Sequence, residues 1–168
     1  MRAEQYQAIF DWFQARPRIR QLLRLTMKGA VAAVYALYFA VLAWLAWQRS
    51  TQFWPVLTVP AAVFLSGTAL RSAIDRPRPY EALHFVPLFP KDTKGQSMPS
   101  RHCFSAAAIA VAAWSVSPVC GIAAAVLAAG IAVSRVLAGV HYPSDVIAGL
   151  GYGVALGLLG NALWTLWL

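Results

Sequence analysis

Five long apolar runs, set apart by short polar segments, most constrain what this chain can fold into. They fall at 29–47, 53–70, 103–116, 119–133 and 146–168. A helix needs about 20 apolar residues to cross the roughly 30 Å hydrocarbon core of a bilayer. Runs of this length and spacing predict an all-α transmembrane bundle of about five spans. Composition agrees: 60% of the residues are hydrophobic and 12% charged, where a soluble domain is nearer half and a quarter. The third run is short for a bilayer unless His102 and the residues before it extend the helix.

Residues 1–28 read differently. Ile9, Phe10, Trp12, Phe13, Leu22, Leu23 and Leu25 alternate with Arg16, Arg18, Arg20, Arg24 and Lys28. That pattern predicts an interfacial amphipathic helix, broken or kinked at Pro17. It lacks the short apolar core and small-residue cleavage site of a signal peptide. The expected organisation is therefore an interfacial segment at 1–28 and one membrane domain at 29–168.

Charge follows the spans. With five crossings, the N-terminus, the 71–101 loop and the 134–145 loop share one side. Thirteen of the fourteen Lys and Arg, all but Arg49, fall there. Six of the seven tryptophans, Trp44, Trp47, Trp54, Trp114, Trp164 and Trp167, fall toward the other side, as an aromatic interface belt does. The positive-inside rule makes the basic side cytoplasmic. A net charge of +8 held between hydrocarbon-length runs suits membrane lipids or a phosphate substrate at the membrane surface, and not nucleic acid. Cys103 and Cys120 lie too far apart along the predicted helices for a disulfide. Gly149, Gly153 and Gly157 recur every four residues, a small-residue face for packing within the chain or for a homodimer seam.

The polar clusters on the basic side carry the chemistry. They hold Arg71, Arg76, Arg78, Ser100, Arg101, His102, Ser134, Arg135, His141 and Asp145. Ionisable groups at membrane helix ends are costly to keep without a use. Arginine forks, a hydroxyl and helix N-terminal amides together suit a tetrahedral oxyanion. Pro143 suits the first turn of the last helix, which sets Asp145 within that turn and His141 just ahead of it. The carboxylate can then accept from one ring nitrogen and leave the other as a nucleophile, with His102 as the acid for the leaving oxygen. Asp75, Arg76 and Glu81 read as solvated loop pairs, and Lys91 and Lys94 as headgroup contacts.

These residues resemble the type 2 phosphatidic acid phosphatase (PAP2) family. Arg71, six residues and Arg78-Pro79 are similar to its first signature, with Arg in place of Lys. Pro99-Ser100-Arg101-His102 is similar to Pro-Ser-Gly-His, with Arg in place of Gly. Ser134-Arg135, five residues, His141, three residues and Asp145 match the third signature throughout. The resemblance implies a metal-independent, cofactor-free phosphohydrolase working through a phosphohistidine on His141, oriented by Asp145. His102 would be the acid, and Arg71, Arg78, Ser100, Arg101, Ser134 and Arg135 would hold the phosphate. It implies lipid phosphates or pyrophosphates as substrates, a polyprenyl pyrophosphate of carrier recycling among them. A non-catalytic lipid-phosphate binder would need only the arginines. The resemblance also implies an integral protein of the plasma (inner) membrane. Family habit sets six spans and an outward-facing site against the five spans and cytoplasmic face read from charge. The extra cation at Arg101 is expected to favour a doubly charged headgroup such as a pyrophosphate.

Overall fold

The computed structural model describes residues 1–167, and it is helical. Seven helices follow in order: α1 Ala3–Gln14, α2 Pro17–Trp47, α3 Phe53–Ile74, the single turn α4 Pro79–Ala82, α5 Arg101–Val116, α6 Pro118–Leu137 and α7 Pro143–Trp167. Stretches built on α2, α3, α6 and α7 are long and apolar enough to cross a membrane. The five predicted runs become α2, α3, α5, α6 and α7, and the molecule is a transmembrane helix bundle.

Helix α5 is the axis. It touches α2, α3, α6 and α7, and Cys103 through Ala110 are buried without a break. Its 16 residues rise only about 24 Å. A helix wrapped by its neighbours meets protein rather than lipid, so it can be shorter than the bilayer. Its run of alanines lets those neighbours come close. The glycines of α7 do the same from the other side. A Cβ on Gly149 would lie 2.8 Å from the Ser100 carbonyl, one on Gly153 2.3 Å from the Phe104 carbonyl, and one on Gly157 3.2 Å from Val111. The face that the sequence offered as a homodimer seam is thus filled by α5 of the same chain, which leaves it no room for a second copy.

The N-terminal third departs from expectation. The expected break at Pro17 is there: α1 ends at Gln14 and Pro17 starts α2, as its fixed φ and missing N–H favour. α2 then runs unbroken across residue 28, so the expected boundary between interfacial segment and membrane domain falls inside a helix. Only α1 is separate. Its Tyr6, Phe10 and Phe13 are buried, with Phe10 and Tyr6 against Phe85 at ring separations of 5.5 and 5.0 Å. Its apolar face therefore covers protein, not lipid. Phe10 also crowds Gly139, whose φ of +72° and 2.5 Å clearance exclude a side chain.

The belt of tryptophans is present at the far end: Trp44, Trp47, Trp54 and Trp114 are exposed, and Trp164 donates to the Thr58 hydroxyl at 3.2 Å. The side chain of Trp167 and residue Leu168 lie outside the described residues. Cys103 and Cys120 are both free thiols.

The α5–α7 contact yields a direct test. Gly153→Ala forces the helices apart, at a cost on the order of 1–3 kcal/mol. Nothing lies within 4 Å of the Cβ position at Gly151. Melting of the purified chain in detergent should show Gly153→Ala lowered and Gly151→Ala not lowered.

Candidate active site

The three polar clusters meet at one end of the bundle. The C-terminal end of α3 brings Arg71, the following loop Arg76 and Arg78, the start of α5 Ser100 to His102, the end of α6 Ser134 and Arg135, and the turn into α7 His141 and Asp145. One bond ties two of them together: the Ser100 amide donates to the Asp145 carbonyl at 3.0 Å.

Arg71, Arg78 and Arg135 are buried, at 5, 3 and 9% exposure. Among the described residues none of the three forms an ion pair; the only ion pairs join Asp145 to Arg76 and to His141. Arg71 donates to the Gln96 carbonyl. Arg78 donates to Gly95 O at 3.0 Å and Val140 O at 3.4 Å. The Nε atoms of Arg71 and Arg135 and the Ser100 hydroxyl are buried with no partner. Unpaired buried polar groups are costly, and buried charges more so. An oxyanion supplies the missing acceptors and the missing negative charge together. Ser100 is the N-cap of α5, yet its side chain makes no cap bond, so its proton is free for such a ligand. Helix geometry also leaves the first amides of α5, those of Arg101 and His102, without carbonyl partners.

Arg101 is exposed at the mouth, and His102 lies within electrostatic reach of Arg135, Lys91, Arg101 and His141. The Ser134 hydroxyl donates to Ile131 O at 2.8 Å, within its own helix. It is buried but spends its proton on the backbone.

His141 and Asp145 are arranged more indirectly than expected. The His141 Nδ1 to Asp145 Oδ2 distance is 3.6 Å, too long for a hydrogen bond. Ser97 bridges them. Its hydroxyl donates to Asp145 Oδ2 at 2.5 Å and lies 3.4 Å from His141 Nδ1. The carboxylate can only accept, so it takes the one proton Ser97 has. Ser97 must then accept from Nδ1–H, which leaves the lone pair on Nε2. Asp145 also accepts from the Tyr142 amide at 2.9 Å, as a third helical residue reaching back to its N-cap does. Arg76 completes the set. It donates to Asp145 Oδ1 at 2.7 Å and Ser144 Oγ at 2.9 Å and stacks on Tyr142 at 4.4 Å.

So the solvated pairs expected among Asp75, Arg76 and Glu81 do not form. Arg76 serves Asp145. Glu81 accepts from the amides of Arg78 at 2.8 Å and Gly95 at 2.9 Å, and Asp75 accepts from that of Gln96 at 3.1 Å. The carboxylates fold the loop that carries Ser97. Lys91, read as a headgroup contact, instead sits among the arginines: burial first, then Arg78, Arg135, Arg101 and Arg71, push its ammonium down to about 8. Ser97, Arg76 and Lys91 thus join the site without a motif of their own. Arg76 alone had a hint, lying between two signature residues. Burial pushes the His141 imidazole down to about 4, with Arg78 acting in the same direction and Asp145 against it. His141 is neutral at physiological pH.

The family model described as "PAP2 superfamily" matches residues 52–167. The chain belongs to the PAP2 superfamily. A lipid A 1-phosphatase of Rhizobium johnstonii is 31% identical over 159 residues, covering 92% of this chain and 59% of that protein. A lipid A 1-phosphatase of Rhizobium etli is 36% identical over 100 residues, covering 56% and 43%. The chain therefore spans about half the length of the curated relatives it matches. Two solved structures share the fold. Aquifex aeolicus LpxE superposes with a TM-score of 0.72 at 23% identity, over 96% of this chain and 94% of that one. The PAP2 type phosphatidylglycerolphosphate phosphatase of Bacillus subtilis gives 0.68 at 22% identity, over 95% and 84%.

In this PAP2 chain, removal of the Arg76 guanidinium leaves a fully buried carboxylate short of its ion partner. Arg76→Ala should cost on the order of 1–3 kcal/mol. Arg76→Lys should recover part of that, since a point donor can still reach Oδ1 but cannot stack on Tyr142 in the same way. Chemical or thermal unfolding in detergent checks both.

Proposed function

We propose that this chain is a membrane phosphohydrolase that removes a terminal phosphate from a lipid phosphate or pyrophosphate. The observation that carries this reading is the group of three buried guanidiniums without carboxylate partners, lying beside a neutral, oriented imidazole. His141 Nε2 attacks phosphorus in line with the leaving oxygen, and the P–O bond to the lipid breaks as the N–P bond forms. His102 protonates the departing oxygen. Arg71, Arg78 and Arg135 carry the charge of the phosphoryl oxygens, helped by the Ser100 hydroxyl and the Arg101 amide. Water then cleaves the N–P bond, with His102 taking its proton. Asp145, through Ser97, stabilises the positive charge that the His141 ring acquires. In this scheme guanidiniums do the charge neutralisation that a metal ion does elsewhere, so turnover persists in EDTA.

The relatives named as lipid A 1-phosphatases favour a phosphorylated glycolipid, and a polyprenyl pyrophosphate is the second reading, favoured by the additional cation at Arg101. The charge count supports a site on the cytoplasmic face, against the outward-facing habit of the family. Labelling of a cysteine introduced in the 81–97 loop with an impermeant reagent tests that placement: protection in sealed cells is expected.

Phosphate release by the purified protein in EDTA should fall on the order of 10³-fold or more in His141→Ala. Release that requires Mg²⁺, or that survives the change, contradicts the mechanism. The His141 value sets the pH response. Its folded value of about 4 lies below the free value of about 6.5, so the ring remains neutral as pH falls through 6. The acid limb of kcat/KM, corrected for ionisation of the substrate phosphate, should lie nearer 4 than 6.5. The same shift works against the fold in acid: between about 6.5 and 4 the unfolded chain takes up a proton that the folded chain refuses, and stability falls as pH drops through that window. Arg101→Gly should lower the ratio of pyrophosphate to monophosphate turnover.

A further inference from the structure

Lys91 is the one amine in the group of cations around the site, and its loop holds it there. Just before it, the Leu88 amide donates to the Ala138 carbonyl at 3.3 Å, at the end of α6. The Phe89 ring lies 5.9 Å from the Arg24 guanidinium of α2. Just after it, the Tyr80 hydroxyl donates to the Thr93 carbonyl, and Glu81 accepts from the Gly95 amide at 2.9 Å. The stretch between is therefore pinned to α6 at one end and to α4 at the other. It sets the half-buried Lys91 side chain within electrostatic reach of Arg71 of α3, Arg78 of the loop after it, Arg101 at the start of α5 and Arg135 of α6. His102 of α5 and His141 before α7 feel its charge in turn. Among the described residues Lys91 forms no ion pair and no side-chain hydrogen bond, and Asp92 beside it is exposed.

That position is unfavourable for a lysine without a ligand. A flexible four-carbon stem can swing its head into water, away from the four guanidiniums, yet Lys91 stays among them. Its three N–H donors have no acceptor in the protein, and like charges repel at this range. A phosphoryl group held by the arginines supplies both the acceptors and the opposite charge. Resting on the phosphohydrolase reading, we infer that the Lys91 ammonium donates to the non-bridging oxygens of the bound phosphoryl group and is the one positive charge of the site that pH can remove. The arginines keep their charge throughout the working range. Burial and the surrounding guanidiniums push Lys91 down to about 8, from about 10.4 in a free chain. A bound phosphate dianion favours the charged form and lifts it again. The empty site therefore loses one cation as pH rises through 8, while the occupied site keeps it. Lys91 acts on binding of the anion and takes no part in moving the proton to the leaving oxygen.

The test is the pH dependence of phosphate release by the full chain in detergent, with a lipid phosphate monoester as substrate. Wild-type kcat/KM should fall about tenfold between pH 7 and 9.5, with a midpoint near 8, because that ratio reports the free enzyme. The fall should lie in KM, with kcat within about twofold, since the complex holds the proton. Lys91→Gln should begin about tenfold below wild type at pH 7 and stay flat over that range. Lys91→Arg should recover about a third or more of the wild-type value at pH 7 and lack the fall near 8, because its charge is permanent. Lys91→Gln should also melt no lower than wild type, since it removes one of several like charges; a merely structural lysine would lower it. A wild-type profile flat to pH 9.5, a fall near 8 that persists in Lys91→Gln, or a fall carried by kcat alone overturns the inference. The wild-type profile decides the question if neither variant folds. Wild-type protein that releases no phosphate at any pH refutes the phosphohydrolase itself. Binding of the inorganic phosphate dianion, weakened about tenfold from pH 7 to 9.5 in wild type and not in Lys91→Arg, then still decides the role of Lys91.

Discussion

Positive charge buried without a fixed counter-charge governs this molecule. Arg71, Arg78 and Arg135 come from three separate segments and are brought together at one end of a bundle. Each donates what it can to backbone carbonyls, or nothing, and donor atoms are left over. Like charges at close range in a poorly solvating site repel. Such an arrangement is stable only because the rest of the fold holds it. The close α5–α7 contact, the carboxylate-folded loop and the cover given by α1 are the parts that do so.

The carboxylates show how strictly this is kept. Only Asp145 is drawn into the site, and Arg76, Ser97 and the Tyr142 amide occupy it. Glu81 and Asp75 are turned onto backbone amides of the loop. Among the described residues no acidic side chain forms an ion pair with the three arginines, so their donors remain for a ligand. Asp145 meanwhile reaches His141 through a hydroxyl rather than directly. A serine between carboxylate and imidazole fixes the ring's tautomer with a neutral group, and keeps the negative charge one atom further from the incoming anion.

Much of this was legible in the residues themselves. The five apolar runs became five helices because hydrocarbon length and backbone self-satisfaction leave a membrane segment little choice. The spacing of His141, Pro143 and Asp145 put Asp145 in the first turn of α7 with His141 just ahead of it, because the first turn of a helix has few conformations, but the direct bond it suggested between them is replaced by Ser97. What could not be read were features that depend on a loop's path. Ser97 and Lys91 lie in a stretch with no periodicity, and Ser97 directly follows a turn at Gly95 and Gln96, both of positive φ. Arg76 sat beside two nearer carboxylates in sequence, and only the fold revealed that both were engaged elsewhere. At the N-terminus a single amphipathic pattern concealed two helices, because Pro17 serves equally as a break and as a start.

The position of α1 has a practical consequence. The Tyr6 hydroxyl donates to the carbonyl of His141 at 3.4 Å, and Phe10 presses on Gly139 two residues earlier. The turn that carries His141 is therefore steadied from outside the bundle, by a short helix joined to it through Ala15 and Arg16. A surfactant harsh enough to peel that helix away would slacken the imidazole while leaving every spanning segment intact. Solubilised material could then look well folded by circular dichroism and still be inert, so the choice of micelle is a chemical variable for this protein and not only a matter of handling.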